Sequence, residues 1–359
     1  MPRVAGNRVA NAIRACAAIA SLVLPPAAAG AAEPQPATFG DWMVGCDNVR
    51  HCTALSLPHA EDEPIAYLRL DRAAGPDAPA KLILQLFGTW GRPVLAVEVK
   101  LDGAPPIHRD AKQPGADGEI RTLAFEPAET AALLAAARKA TQLMVTAPGL
   151  SARVSLSGFV AAMLRIDEQQ GRLGTPTAII RKGSGTRVPA AHAPPVVIAR
   201  PASVVLPEER RKALAAALRR QVQQEESDLC DDEPSLIDSD TAWPLDHELR
   251  LVGIGCSRGA YNLTTGFWTM KGDDLATARP VIFPEAEDGM ENMLTNADYD
   301  PKTGRLEFFS KGRGIGDCGT TGSYAWTGAS FALVALSTMG ECRGIGSNDW
   351  IQLYRSVLR

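Results

Sequence analysis

The chain has 359 residues, 37 basic and 41 acidic side chains, a formal net charge of -4 and seven cysteines. That balance excludes a general nucleic-acid binder, which needs a basic face to neutralise phosphates. The length is ample for two hydrophobic cores, and past the first 32 residues no stretch is apolar enough for a membrane span.

Arg3, Arg8 and Arg14 precede an apolar run over residues 15–24 and an alanine-rich exit. This order is that of a secretory signal peptide over residues 1–32, with cleavage expected after Ala31 or Ala32. Cys16 precedes most of the apolar run, so no lipid is assigned to it. Cleavage leaves 34 basic against 41 acidic residues and six cysteines. An even number in an exported chain predicts disulfides, and six cysteines admit about fifteen pairings. Loop closure favours near neighbours: Cys46 with Cys52, Cys230 with Cys256, and Cys318 with Cys342. The chain-entropy estimate gives roughly 2.5 kcal/mol for the first and roughly 3.5 kcal/mol for each of the others.

A first β-rich domain is expected over residues 37–185. Trp42 and Val44 alternate onto one face of an opening strand, and residues 66–70, 81–87, 94–99 and 143–145 read as further strands separated by glycine, proline and aspartate. Pro127 suits the first turn of a helix running to about Ala140. A second helix starts behind Ser157, carries Phe159, Val160, Met163 and Leu164 toward the core, and ends near Gly171 or Gly174.

Residues 186–228 read as a Pro/Ala-rich linker followed by a helix of about five turns, with Leu214, Leu218 and Val222 as its narrow apolar stripe. A second β-rich domain is expected over residues 229–359. Its strands are placed at 249–254, 261–270, 306–309 and 350–354. A hairpin joins 324–326 to 331–334 through Thr327, Gly328, Ala329 and Ser330, with Cys318 and Cys342 at its outer ends. The fold class is therefore mainly β, a β-rich α+β chain of two antiparallel domains with a few helices.

Candidate chemistry is sparse. Asn296, Asp298, Asp300 and Glu307 match the oxygen spacing of a calcium loop, but Pro301 stands where that loop needs glycine, and the stretch reads as a hairpin turn. Gly314, Gly316 and Gly319 match a dinucleotide fingerprint, yet a strand follows instead of a helix, so the stretch reads as a loop anchored by Cys318. Cys46, Asp47, His51 and Cys52 read as a local disulfide with polar neighbours rather than a metal site. The histidines at 51, 59, 108, 192 and 247 fall in turns and linkers with no adjacent nucleophile. Gly-x-Ser-x-Gly, Ser-x-x-Lys, His-Glu-x-x-His and phosphate-loop patterns are missing from the sequence. Asp298, Asp300, Glu307 and Glu341 are what a two-carboxylate hydrolase would draw on; they read as solvated turns. Ten acids and no Lys or Arg lie between Glu225 and Glu248, read as a solvated segment. Among Tyr261, Trp268, Tyr324, Trp326 and Trp350, which would suit sugar stacking, strand alternation favours core packing for most.

Residues 39–48 with Cys52, Thr53 and Ala54, residues 166–172 with Gly174 and Thr175, and above all residues 311–344 resemble an exported bacterial family catalogued as domain of unknown function 1176. The opening Phe39, Gly40, Asp41 and Trp42 with Cys46 also resembles the start of invasion-associated locus B proteins, as a fold hint for the first domain. The resemblance implies a periplasmic location and no established activity, so no catalytic or cofactor residue is carried over. The expectation is a periplasmic, non-catalytic binding or envelope-interaction protein without cofactor. Its partner would be an envelope protein or a glycan, with no nucleic acid and no membrane span. The alternatives are an envelope-polymer hydrolase using paired carboxylates and a calcium-dependent adhesin-like module.

Overall fold

The strands of the first half come from alternating sequence that is covered on both faces. The computed structural model describes residues 36–59, 65–88, 93–113, 119–285 and 290–359; the expected signal peptide at 1–32 lies outside the described residues. In chain order the first half forms β1 (Ala37–Phe39), β2 (Trp42–Cys46), β3 (Cys52–Ser56), β4 (Ile65–Arg72), β5 (Ala80–Phe87), β6 (Val94–Lys100), β7 (Ile107–Lys112) and β8 (Ile120–Ala124). Helix α1 (Pro127–Ala136), β9 (Gln142–Ala147), β10 (Leu150–Ser155) and helix α2 (Phe159–Gln169) follow. The ten strands make one antiparallel sheet in the order β1-β2-β3-β4-β5-β8-β7-β6-β9-β10.

This sheet curls around its own core. The Trp42 indole N–H donates to the Ser155 carbonyl at 3.1 Å and the Ser155 hydroxyl to Asp41 at 2.7 Å, which ties the end of β10 back to the start of β2. Phe159, Ala162, Met163 and Ile166 of α2 fill the interior against Trp42, Leu70 and Leu84. Val160, expected to face the core, is exposed instead, because the buried stripe follows 159, 162, 163 and 166. The helix begins at Gly158, at φ +88°, where a Cβ would lie 1.6 Å from the Phe39 carbonyl oxygen. Only glycine fits there.

The second half contributes β11 (Val196–Val197), α3 (Glu208–Glu225), α4 (Pro234–Ile237), β12 (Thr241–Pro244), β13 (Leu249–Arg258), β14 (Leu263–Lys271), β15 (Asp274–Pro280) and β16 (Met293–Thr295). Strands β17 (Asp298–Asp300), β18 (Arg305–Lys311), β19 (Gly319–Trp326), β20 (Phe331–Met339), β21 (Ile351–Arg355) and β22 (Val357–Leu358) complete it. They form two five-stranded antiparallel sheets, β12-β13-β14-β15 with β16 on β14, and β17-β18-β19-β20-β21, besides a parallel β11-β22 pair. Leu251 and Phe267 of one sheet and Leu306, Tyr324, Trp326 and Phe331 of the other share an aromatic core with Phe283. Some rings there meet edge-on or tilted, as at Phe267–Phe283 (5.7 Å) and Trp326–Phe331 (5.4 Å), and others stack, as at Phe308–Tyr324 (5.8 Å). The chain is mainly β, as its alternation predicts.

Helix α3 lays Leu214, Leu218 and Val222 on Val252, Ile254, Trp268 and Met270. Arg219 on the same face is buried and makes a two-pronged bond to Asp240 at 2.6 and 2.8 Å. The acid run is thus not solvated throughout: Asp240 is inside because α3 supplies its counter-charge. The three disulfides pair Cys46 with Cys52, Cys230 with Cys256 and Cys318 with Cys342.

Candidate functional site

Met43, Leu55, Leu57 and Tyr67, which β2–β4 turn away from the curled interior, pack on Met339, Ile345, Trp350 and Ile351 of the second half. Beside this apolar patch lies a polar network. Asp349, in a single 3-10 turn (Ser347–Asp349), accepts from the Tyr67 hydroxyl at 2.5 Å, Arg69 Nη1 at 2.8 Å and Gln85 Nε2 at 3.2 Å. Arg69 also holds Asp71 through Nε at 2.6 Å, and the Thr53 hydroxyl donates to the same carboxylate at 2.7 Å. Burial, with the Asp349 carboxylate beside it, pushes the Tyr67 phenol well above its ordinary value. Burial works to raise Asp71 but is outweighed by the bonds from His51, Arg69 and Thr53, which hold its carboxyl below the usual range. Every member is engaged in joining segments of the chain, so the network reads as structural.

The residues with calcium-loop spacing are spread by the fold. Asn296 turns its carboxamide inward, accepting from Leu263 N at 2.9 Å and donating to Asn262 Oδ1 at 2.9 Å and the Phe309 carbonyl at 2.8 Å. The Asp300 carboxylate organises the turn containing Pro301, accepting from Lys302 N at 2.9 Å and the Thr303 hydroxyl at 3.0 Å. Asp298 and Glu307 stand directly opposite each other on β17 and β18. Among the described residues no three His, Cys, Asp or Glu side chains gather as a metal set. Cys46 and Cys52 bond to each other, Asp47 accepts from Val49 N and His51 N, and His51 faces Asp71 at 3.6 Å. In the fingerprint-like loop, Asp317 pairs with Arg313 and accepts from Gly344 N at 2.6 Å, and β19 follows.

Two of the concave surfaces among the described residues lie on open sheet faces. One lies on the face of β17–β20 that points away from the aromatic core, and its volume is 490 Å³. The strand register lays out its floor: Asp298, Glu307, Ser323 and Ala335 form one row across four strands, and Phe309, Thr321 and Ser337 form the next. The first half covers one end of this face at Phe309, and Val197 with Leu358 covers the other at Ala325 and Val334. In the row between, Asp298 and Glu307 are exposed and Ser323 lies beneath them at 5% exposure.

The other concavity, of 900 Å³, lies on the outer face of β6–β9. Leu95, Val97 and Val99 point into the core, so Ala96 and Glu98 point out. Glu98 is flanked in register by His108 and Thr146, and Asp110 stands opposite Ala96. Lys100 at 2.8 Å and the Thr146 hydroxyl at 3.2 Å bond the Glu98 carboxylate, with His108 at 3.6 Å. Lys100 is the main cause that lowers the Glu98 carboxyl below its ordinary value. Arg109 reaches the other way to Glu126 at 2.8 Å. His108, expected in a turn or linker, is on a strand; the charged run from His108 to Lys112 hid β7, since only Ile107 and Ala111 mark its buried side.

A family described as protein of unknown function (DUF1176) matches residues 36–357. The uncharacterized protein YpfG of Escherichia coli (strain K12) is 28% identical over 344 residues, which is 90% of this chain and 93% of that protein. A crystal structure of invasion associated protein B from Bartonella henselae, 19% identical, aligns with a TM-score of 0.29 over 38% of this chain and 99% of that one.

Proposed function

We propose that this chain, which belongs to the DUF1176 family of proteins of unknown function, is an exported, non-catalytic binding protein of the bacterial envelope that holds an extended, charge-mixed segment of another envelope protein on β6–β9. Three disulfides fit an oxidising compartment such as the periplasm, and no described helix is long and apolar enough to cross a membrane. The observation that carries the binding reading is the 900 Å³ concavity. Its low floor is Ala96, Ala124 and Ala147, and along β7 it presents His108, Asp110 and Lys112 at every second position. That spacing is roughly 7 Å, the repeat of side chains on one face of an extended peptide. Alternating charge at that repeat gives register and specificity more than affinity.

The test is a photocrosslinking residue at Ala96 in the full chain, expressed and fractionated in cells. The expected result is a single discrete adduct in the periplasmic fraction, lost when Asp110→Lys and Lys112→Glu are introduced together. A blank at Ala96, or an adduct indifferent to those two reversals, removes the reading.

A further inference from the structure

The geometry points to a second site, on the outer face of β17–β20, that binds a saccharide through adjacent hydroxyls. The row Asp298, Glu307, Ser323 carries acceptors and a hydroxyl across three neighbouring strands. Directly opposed residues on antiparallel strands hold their Cβ atoms about 5 Å apart. Two carboxylates at that spacing present oxygens that match neighbouring hydroxyl donors on a sugar ring, each bond strengthened by the acceptor's charge.

Two further observations point to a ligand. Ser323 is 5% exposed, yet its hydroxyl bonds to nothing in the protein; it lines the concavity from beneath. The hydroxyl oxygen itself reaches the water of the concavity, so it is set to exchange those bonds with what enters. Arg305 pairs with Glu307 through Nη2 at 3.0 Å; its Nε–H is buried, and the exposed part of the guanidinium is the donor beside the acceptors. Asp298 has no side-chain bond or ion pair at all. Donor, acceptor and amphoteric hydroxyl in one patch are the complement of a polyol, whose every hydroxyl both gives and accepts.

A cation fits less well. Calcium takes six to eight oxygens, and the turn residues that would complete its shell, Asn296 and Asp300, spend theirs on the backbone at Leu263 and Lys302. Phe309 walls one side, partly exposed, with Trp350 edge-on behind it at 5.4 Å, and gives an apolar surface for the carbon face of a sugar. Both carboxylates remain open to bulk water, which suits reversible hydrogen bonding and lacks the water exclusion of a catalytic cleft.

The experiment is isothermal titration of the full mature chain with three probes: cellotetraose, maltotetraose and the β-1,4 tetramer of N-acetylglucosamine. At least one is expected to bind with one-to-one stoichiometry, and Asp298→Asn, Glu307→Gln and Ser323→Ala each to weaken it by about tenfold or more. Asp298→Asn and Glu307→Gln sit on an open face and Ser323→Ala removes a single oxygen from a nearly buried position, and an unchanged melting curve verifies folding in each. Glu98→Gln, on the other concavity, is expected to leave saccharide binding untouched, so this result and the Ala96 crosslink stand or fall separately. No heat with any of the three, binding indifferent to the Asp298 and Glu307 changes, or stoichiometric calcium binding lost in Asp298→Asn would overturn the site.

Discussion

Asp349 offers the sharpest test of how the two halves are held together, because three side chains from β4 and β5 converge on its carboxylate. In Asp349→Asn the charge is lost, and the amide, whose nitrogen donates, cannot accept from all of them. The Tyr67 hydroxyl bond at 2.5 Å and the Arg69 bond at 2.8 Å are hydrogen bonds to a charged group, each worth about 1.5–3 kcal/mol. Arg69 keeps Asp71 at 2.6 Å, so its share falls at the lower end. The side chains are mostly buried, with Arg69 at 19% and Asp349 at 16% exposure, which leaves modest solvent screening. Together these give a loss of about 3 kcal/mol. Tyr67→Phe alone is expected to cost about 2 kcal/mol. Because both changes break the same bond, the double variant is expected to fall short of the sum by about 1 kcal/mol or more. Urea unfolding with the disulfides intact, followed by tryptophan fluorescence, measures all four corners of the cycle. Additive losses, or a single Asp349→Asn cost below about 0.5 kcal/mol, would refute the assignment of this network as the polar tie between the halves.

The remaining predictions use the same assay. Gly158→Ala is expected to cost at least about 2 kcal/mol, since positive φ and the Phe39 carbonyl both forbid a Cβ; a loss within about 0.5 kcal/mol contradicts the local geometry. Asp71 has its folded carboxyl below the unfolded value, so its contribution is complete above about pH 4, the usual aspartate value, and is lost as pH falls toward the depressed folded value. Asp71→Asn is accordingly expected to flatten the acid limb of the stability curve, and an unchanged limb counts against it. Replacing Cys230 and Cys256 together by serine is expected to cost about 3.5 kcal/mol, read as a shift in urea midpoint, and a change under about 1 kcal/mol would show that α3 and its Arg219–Asp240 pair fix that corner unaided.

Strand alternation made much of the fold legible. The hairpin through Thr327 and Ser330 is where its aromatic and branched residues place it, with Gly328 at φ +95° in the turn. The helix stripe of Leu214, Leu218 and Val222 is buried as its period requires. What stayed hidden had a physical cause in each case. Strands β7 and β10 carry charged or hydroxyl residues on their open sides, and their buried sides are marked by few apolar residues. Burial of Asp240 depends on Arg219, 21 residues away, and no local pattern encodes that meeting. The candidate sites were the least legible. Spacing singled out Asp298 and Glu307 as members of a loop, whereas the register makes them cross-strand neighbours with Ser323.

The two concavities share an origin in how the sheets are covered. An antiparallel sheet needs one buried face and can leave the other to water, and here each outer face is partly claimed by a different part of the chain. Over the first sheet, Met339, Trp350 and Ile351 cover β2–β4, where Met43, Leu55 and Tyr67 are apolar or amphipathic; on β6–β9 the outward Ala96, Glu98 and Thr146 stand among Val94, 42% exposed, and Met144, so that uncovered face is mixed. On β17–β20, Phe309 and Ala325 mark the covered ends, and the row between them switches to Asp298, Glu307 and Ser323. Ser323, 5% exposed and without a protein partner, keeps its hydroxyl in contact with the water of the concavity, and on the proposed reading that contact is what a saccharide hydroxyl replaces.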